Sequence, residues 1–332
     1  MTIAPLSPLT VQKPGDIFSR QEIREFSKRS NIKGALLIAH CWATILLVWV
    51  VCSLWPQPLM IAVGMLVVGS RQLGLVILSH DAAHHLLLTS RRANDWVAEW
   101  LLNRPLLGAS VVPYRQYHFV HHRFTQQAAD PDLALSAPFP TTRASMKRKL
   151  FRDLTGQTGW KQHSATIREA FTAADGDGIN WSAGLRRLGP NLVINSVFLI
   201  GFWLTGHAYL YLLLWVVPYM TWELLVARIR NIAEHGVVVD DNDRLRNART
   251  TLVNPLERLL LAPYYVNYHL EHHLLMSCPC YNLPKAHQSL IDKGMGPRME
   301  LRRGIFRYSG WRRQSQSPLN KFGFCPALGF GQ

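Results

Sequence analysis

Acidic residues are scarce in this chain: 21 Asp and Glu stand against 36 Lys and Arg over 332 residues, a formal charge of +15. Such an excess would suit nucleic acid, but no basic-aromatic module accompanies it, and a membrane surface is the better match. Cysteine is also sparse. Of the five present, Cys41 and Cys52 lie inside an apolar run, which excludes a disulfide framework. Cys278-Pro-Cys280 is too isolated for a zinc site and reads as structural. The polar centre lacks the period-two alternation of strands, and no repeat of fixed period is found. The N-terminal stretch lacks a short apolar core followed by a small-residue cleavage site, so no removed signal peptide is expected.

What the chain does have is long apolar runs, from Ala35 to Leu54, Leu59 to Leu78, Leu192 to Leu204 and Tyr209 to Val226. Crossing about 30 Å of hydrocarbon takes roughly 20 such residues, so these predict spans near 35–55, 59–79, 189–205 and 208–228. Lys and Arg are placed asymmetrically. They precede the first run and fill the centre (Arg115 to Arg187) and the region after Arg228. They are missing from the short connections around Pro56 and Gly206. The positive-inside rule then puts the N-terminus, the centre and the C-terminus in the cytoplasm. Residues 1–34 read as a cytoplasmic arm, 35–287 as a membrane domain and 288–332 as a cytoplasmic tail.

Two features qualify the simple span picture. The semi-apolar stretch Trp96 to Val112 is broken at Asn103-Arg104-Pro105, which predicts an interfacial or half-inserted helix. Arg71 falls within the second run, where a buried cation is expensive. A helix that projects past the cytoplasmic surface would bring it to the interface.

Ten of the 14 histidines fall in four short segments. These are His80-Asp-Ala-Ala-His84-His85, His118-Phe-Val-His121-His122, Asn231-Ile-Ala-Glu-His235 and His269-Leu-Glu-His272-His273. Residues three and four apart share a helix face, so each segment offers convergent nitrogens. Neutral imidazole is the commonest metal ligand, and so large a set exceeds what one tetrahedral ion uses, which implies two metals. Imidazole alone does not choose between zinc, copper, nickel and iron. A single pair would read as ordinary core or surface histidines; four clusters together do not. His84 is preferred to His85 as the partner of His80, because it completes a helical turn. Asp81, Glu234 and Glu271 adjoin clustered histidines and are candidates to receive their second N–H, with a merely solvated acid as the alternative for each. His40, His163, His207 and His287 stand apart and read as structural.

These segments resemble the three histidine boxes of the membrane fatty acid desaturases, H-x(3 or 4)-H, H-x(2 or 3)-H-H and H/Q-x-x-H-H, matched in order by His80–His84, His118–His122 and His269–His273. Asn231-x-x-x-His235 resembles the family's additional ligand, with the asparagine contacting one metal through water. His122-Arg-Phe-Thr125 followed by Asp130-Pro-Asp132 resembles the sequence after the second box. The resemblance covers about Ala35 to His287. It implies an all-α integral membrane protein, with four transmembrane helices in two hairpins and a cytoplasmic helical cap carrying the boxes. It also implies two iron ions (Fe2+/Fe3+) held by His80, His84, His118, His121, His122, His235, His269, His272 and His273. Dioxygen would be the co-substrate, and an acyl lipid or acyl thioester, lying in a narrow tunnel, would lose two hydrogens. No His-Pro-Gly-Gly haem segment is present, and the third box opens with histidine rather than glutamine. Electrons would therefore come from a separate ferredoxin or cytochrome-type carrier.

Two other readings compete. The same scaffold in related proteins inserts oxygen, as hydroxylase or carotenoid ketolase. A metal-handling transporter is more distant, because transporters place ligands near the bilayer midplane and these clusters fall at helix ends. A zinc protease lacks its H-E-x-x-H.

Overall fold

The computed structural model describes residues 13–305, apart from 109, 174, 175 and 177. The first twelve residues of the expected arm and the tail from 306 onward lie outside the described residues. The fold is mostly helical. A helix α1 (Arg20–Phe26) opens on a capping box in which Ser19 and Glu22 satisfy each other's backbone N–H. Ser30 caps α2 (Asn31–Leu54), and α3 (Pro58–Ala83) begins on a proline, where the first turn needs no donor. Four helical stretches are long and apolar enough to cross a membrane: Arg20–Leu54, which contains α2; α3; α8 (Trp181–Leu204); and α9 (Tyr209–His235).

Helix α3 is the hub. Every residue from Val68 to Leu75 is buried, as expected of a helix covered on all sides. Glycines make the close approaches: a Cβ on Gly64 would lie 3.1 Å from the Cys52 sulfur on α2, and one on Gly69 would lie 2.8 Å from the Trp222 ring on α9. Arg71 is buried. It donates to the Leu259 carbonyl and packs over the Tyr264 ring. The protein therefore meets this cation with a carbonyl and a ring inside the fold, rather than at the interface that helix length alone suggests.

Beyond α3, α4 (Arg91–Val97) runs into a π-helical segment, Ala98–Asn103, which stops before Pro105 where the sequence indicated a break. Helix α5 (Val111–Phe124) follows. The polar centre forms α6 (Arg143–Leu154) and α7 (Gln157–Phe171). Helix α8 starts at Trp181, eight residues before the expected Gly189. Asn180 caps it, and Gly184 packs so tightly on Phe171 of α7 that a Cβ would lie 2.0 Å from the ring. Its first turns carry Ser182, Arg186 and Arg187, so hydropathy does not reveal them. In α9 a π turn, Leu212–Val216, precedes Pro218, which cannot donate to the turn before it.

The remaining chain forms α10 (Pro255–Leu260), α11 (His269–Leu274), α12 (Leu283–Asp292) and a short parallel pair, β1 (Thr250–Leu252) with β2 (Leu301–Arg303). Residues 288–305, expected as tail, pack into the body: Leu290, Met299 and Ile305 are buried, and Glu300 pairs with Arg249 at 3.1 Å. Charged neighbours in the sequence mask these anchors.

Candidate metal centre

The nine histidines expected as ligands gather into two adjoining groups. His80, His84, His118, His122 and His272 form the first, and His121, His235, His269 and His273 the second. Within each group one ring nitrogen per residue lies within 4.8 Å of all the others. Helix geometry explains the division. At about 100° per residue, His118 and His122 point in nearly the same direction on α5 while His121 turns aside. One H-x-x-H-H segment thereby serves both groups. On α11 the roles reverse, with His269 and His273 in the second group and His272 in the first. His80 sits in the last turn of α3, His84 follows its end, and His235 ends α9. The groups touch through His122 and His273, whose ring centroids are 4.3 Å apart.

His122 Nε2 lies 2.9 Å from His118 Nε2 and 3.0 Å from His272 Nε2; His269 Nε2 lies 2.7 Å from His235 Nε2 and 3.1 Å from His273 Nε2. A neutral imidazole nitrogen carries either a proton or a lone pair, so one Nε2 cannot satisfy two others. Converging lone pairs are what a cation satisfies. His84 Nε2 and Asn231 Oδ1 are likewise buried without a hydrogen-bond partner. Burial and mutual repulsion hold His118, His122, His269, His272 and His273 well below the usual imidazole value of 6.5, and burial pushes His84 down to about 3. Neutral nitrogen donors, buried and convergent, fit a metal in each group.

His85 does not join. At His85 the backbone enters the left-handed region (φ 58°), which turns the ring away toward Asp95 at 3.4 Å and Arg115. Arg115 also donates to the Ala83 carbonyl at 2.6 Å, closing the end of α3 beside His84.

Of the three acids singled out in the sequence, Glu234 approaches a clustered histidine, with an oxygen 3.9 Å from His269 Nδ1, but its hydrogen bonds go to Arg230. Asp81 accepts the Cys280 N–H at 3.3 Å, and Glu271 holds Thr250 and His287. Among the described residues, Asp130 is hydrogen-bonded to a clustered histidine, 2.8 Å from His121 Nδ1, with Asp132 3.7 Å from the same atom. Thr125 Oγ1 lies 3.2 Å from His273 Nδ1. Both fall in the stretch after the second box, but no local spacing rule marks them as histidine partners.

The chain is similar to dihydrorhizobitoxine desaturase of Bradyrhizobium elkanii, 26% identical over 282 residues, which is 81% of this chain and 79% of the relative. It is also similar to beta-carotene ketolase of Paracoccus sp. (strain PC1), 24% identical over 259 residues, 74% of this chain and 90% of the relative. The fatty acid desaturase family model matches residues 54–299, and the chain belongs to that family.

Proposed function

We propose that this chain is a membrane di-iron desaturase that removes two hydrogens from adjacent carbons of an acyl chain. The observation that carries the reading is the division of nine buried histidines into two adjoining groups. His80, His84, His118, His122 and His272 would hold one iron. His121, His235, His269 and His273 would hold the other, with Asn231 reaching it through water. The donor set also suits zinc or copper, and iron is preferred because of the family.

An unactivated C–H bond offers no acid, electrophile or charge for side chains to act on, so the oxidising power has to come from the bound metals. They would supply the removal of two hydrogens coupled to reduction of dioxygen to two waters, with two electrons and two protons from outside. The chain's own residues set the stage. Asp130 and Thr125 orient His121 and His273 through their Nδ1 atoms, and the buried imidazoles stay neutral and ready to ligate.

Both α3 and α9 end at this centre, and Arg29, Arg91, Arg123 and Arg244 line the cleft beside it. That supports two hairpins with the centre, the N-terminus and the C-terminus on the cytoplasmic side. A separate ferredoxin or cytochrome-type protein would deliver the electrons.

A second reading keeps the scaffold but inserts oxygen. It draws on the ketolase relative, whose identity is close to that of the desaturase. Metal analysis of the purified protein, with mass spectrometry of the host's lipids, separates the readings. Two irons and products lighter by two hydrogens, lost in His272→Ala, are expected; products heavier by one oxygen would favour insertion, and zinc without lipid change would remove both.

A further inference from the structure

Beside the histidine centre an open cleft of about 680 Å³ reaches down to His84 and His122. Its charged lining has one sign: Arg29, Arg91, Arg123 and Arg244 face it, and no Asp or Glu does. These guanidiniums come from four separate places: ahead of α2, the first residue of α4, the end of α5 and the loop after α9. Among the described residues, Arg91, Arg123 and Arg244 have no acidic partner, and the nearby Asp95 is already engaged by Arg115 and His85.

Four like charges brought to one opening repel one another unless something negative sits between them, and planar guanidiniums suit carboxylate or phosphate oxygens. Leu86, Phe119 and Met276 give the same lining an apolar part, beside Ser27 and Ser277. The cleft thus combines guanidiniums, apolar surface and metal-ligating residues.

We propose that the cleft binds an amphipathic substrate with an anionic head, held by Arg91, Arg123 and Arg244, with its apolar carbons laid against His84 and His122. The guanidiniums and the two imidazoles line one and the same space, so head and reacting carbons share it. The substrate's charge stays near the centre, as in a free acid or phosphate monoester, and a neutral ester or hydrocarbon lacks the group these guanidiniums suit. The reacting end of this picture rests on the di-iron reading; the head-binding end does not.

The test uses full-length protein in nanodiscs of neutral phosphatidylcholine, loaded with iron. Binding of octanoate, octyl phosphate and 1-octanol is measured by calorimetry. One or both anions bind at least about tenfold tighter than the alcohol, and the tighter of the two identifies the head. Arg91→Gln/Arg244→Gln loses that advantage, while Arg91→Lys/Arg244→Lys keeps part of it, which separates lost charge from lost folding. Equal binding of all three probes, or undiminished selectivity in the Gln variant, overturns the proposal. The two failures read differently. Lost anion preference with two irons still bound overturns the cleft assignment alone. Anion preference in a protein that binds no iron upholds the cleft and removes the di-iron reading.

Discussion

The Asp130 carboxylate holds His121 Nδ1 at 2.8 Å, and both side chains are buried. The same carboxylate accepts the backbone N–H groups of Gln126 and Asp132, so it is fixed before it fixes the ring. That leaves His121 Nε2 as the atom free to ligate. Asp130→Asn should lower metal affinity in the second group by roughly tenfold or more and leave the first group loaded. Metal titration of the variant checks this; equal loss from both groups would mean that Asp130 supports the fold rather than one ring.

His84 and His85 give the sharpest contrast between neighbours. His84→Ala removes a nitrogen from the first group, so one metal and the activity should go together. His85→Ala removes a ring that faces Asp95 and Arg115, and the metal count should stay at the native value. An Asn at position 85 should be better tolerated than a Val, because the left-handed φ of 58° suits the first and penalises a β-branched side chain. Metal analysis and melting temperatures of the variants report on each point.

The legibility of this protein in its sequence follows from how local each signal is. The spans and boxes were visible because hydropathy and the i, i+3, i+4 spacing are short-range. The preference for His84 over His85 came from the same spacing. The division of nine histidines between two groups was not foreseen, since it depends on α5 and α11 meeting the ends of α3 and α9. Asp130 is not marked as His121's partner by any such spacing, because it lies nine residues away and returns through a loop. The start of α8 at Trp181 and the burial of Arg71 are not legible because they depend on tertiary contacts, Gly184 against Phe171 and Arg71 against Leu259 and Tyr264, rather than on composition.

His163 should give the protein a pH-dependent stability separate from the metal centre. It is buried on α7, stacked on Tyr219 with centroids 4.6 Å apart, and its Nε2 has no partner. Burial lowers its pKa below the usual 6.5. Below that value the unfolded chain binds a proton that the folded one resists, so stability falls as pH drops through about 6.5. His163→Phe keeps the stack and removes the titration. Thermal unfolding from about pH 7 to about pH 5 should cost the variant less than the native protein; parallel losses would refute the assignment.

Arg249 ties the end of α9 to β2, and this arrangement should make His235 unusually sensitive to a residue that is not in either histidine group. Its guanidinium donates to the Ala233 carbonyl at 2.9 Å and the Gly236 carbonyl at 3.1 Å, on either side of His235, and pairs with buried Glu300 at 3.1 Å. Arg249→Met leaves those carbonyls without this donor and Glu300 with Arg302 as its remaining cationic partner. Breaking a buried pair from one side typically costs about 3–5 kcal/mol. The variant should melt lower and lose metal from the second group before the first, because His235 belongs to the second. Arg249→Met with Glu300→Met removes the stranded charge and should recover part of the stability, but not the hold on His235. Restored melting with a metal count still near one would separate the electrostatic role of Arg249 from its positioning of the ligand helix. Full recovery of both would show that the charge pair alone mattered.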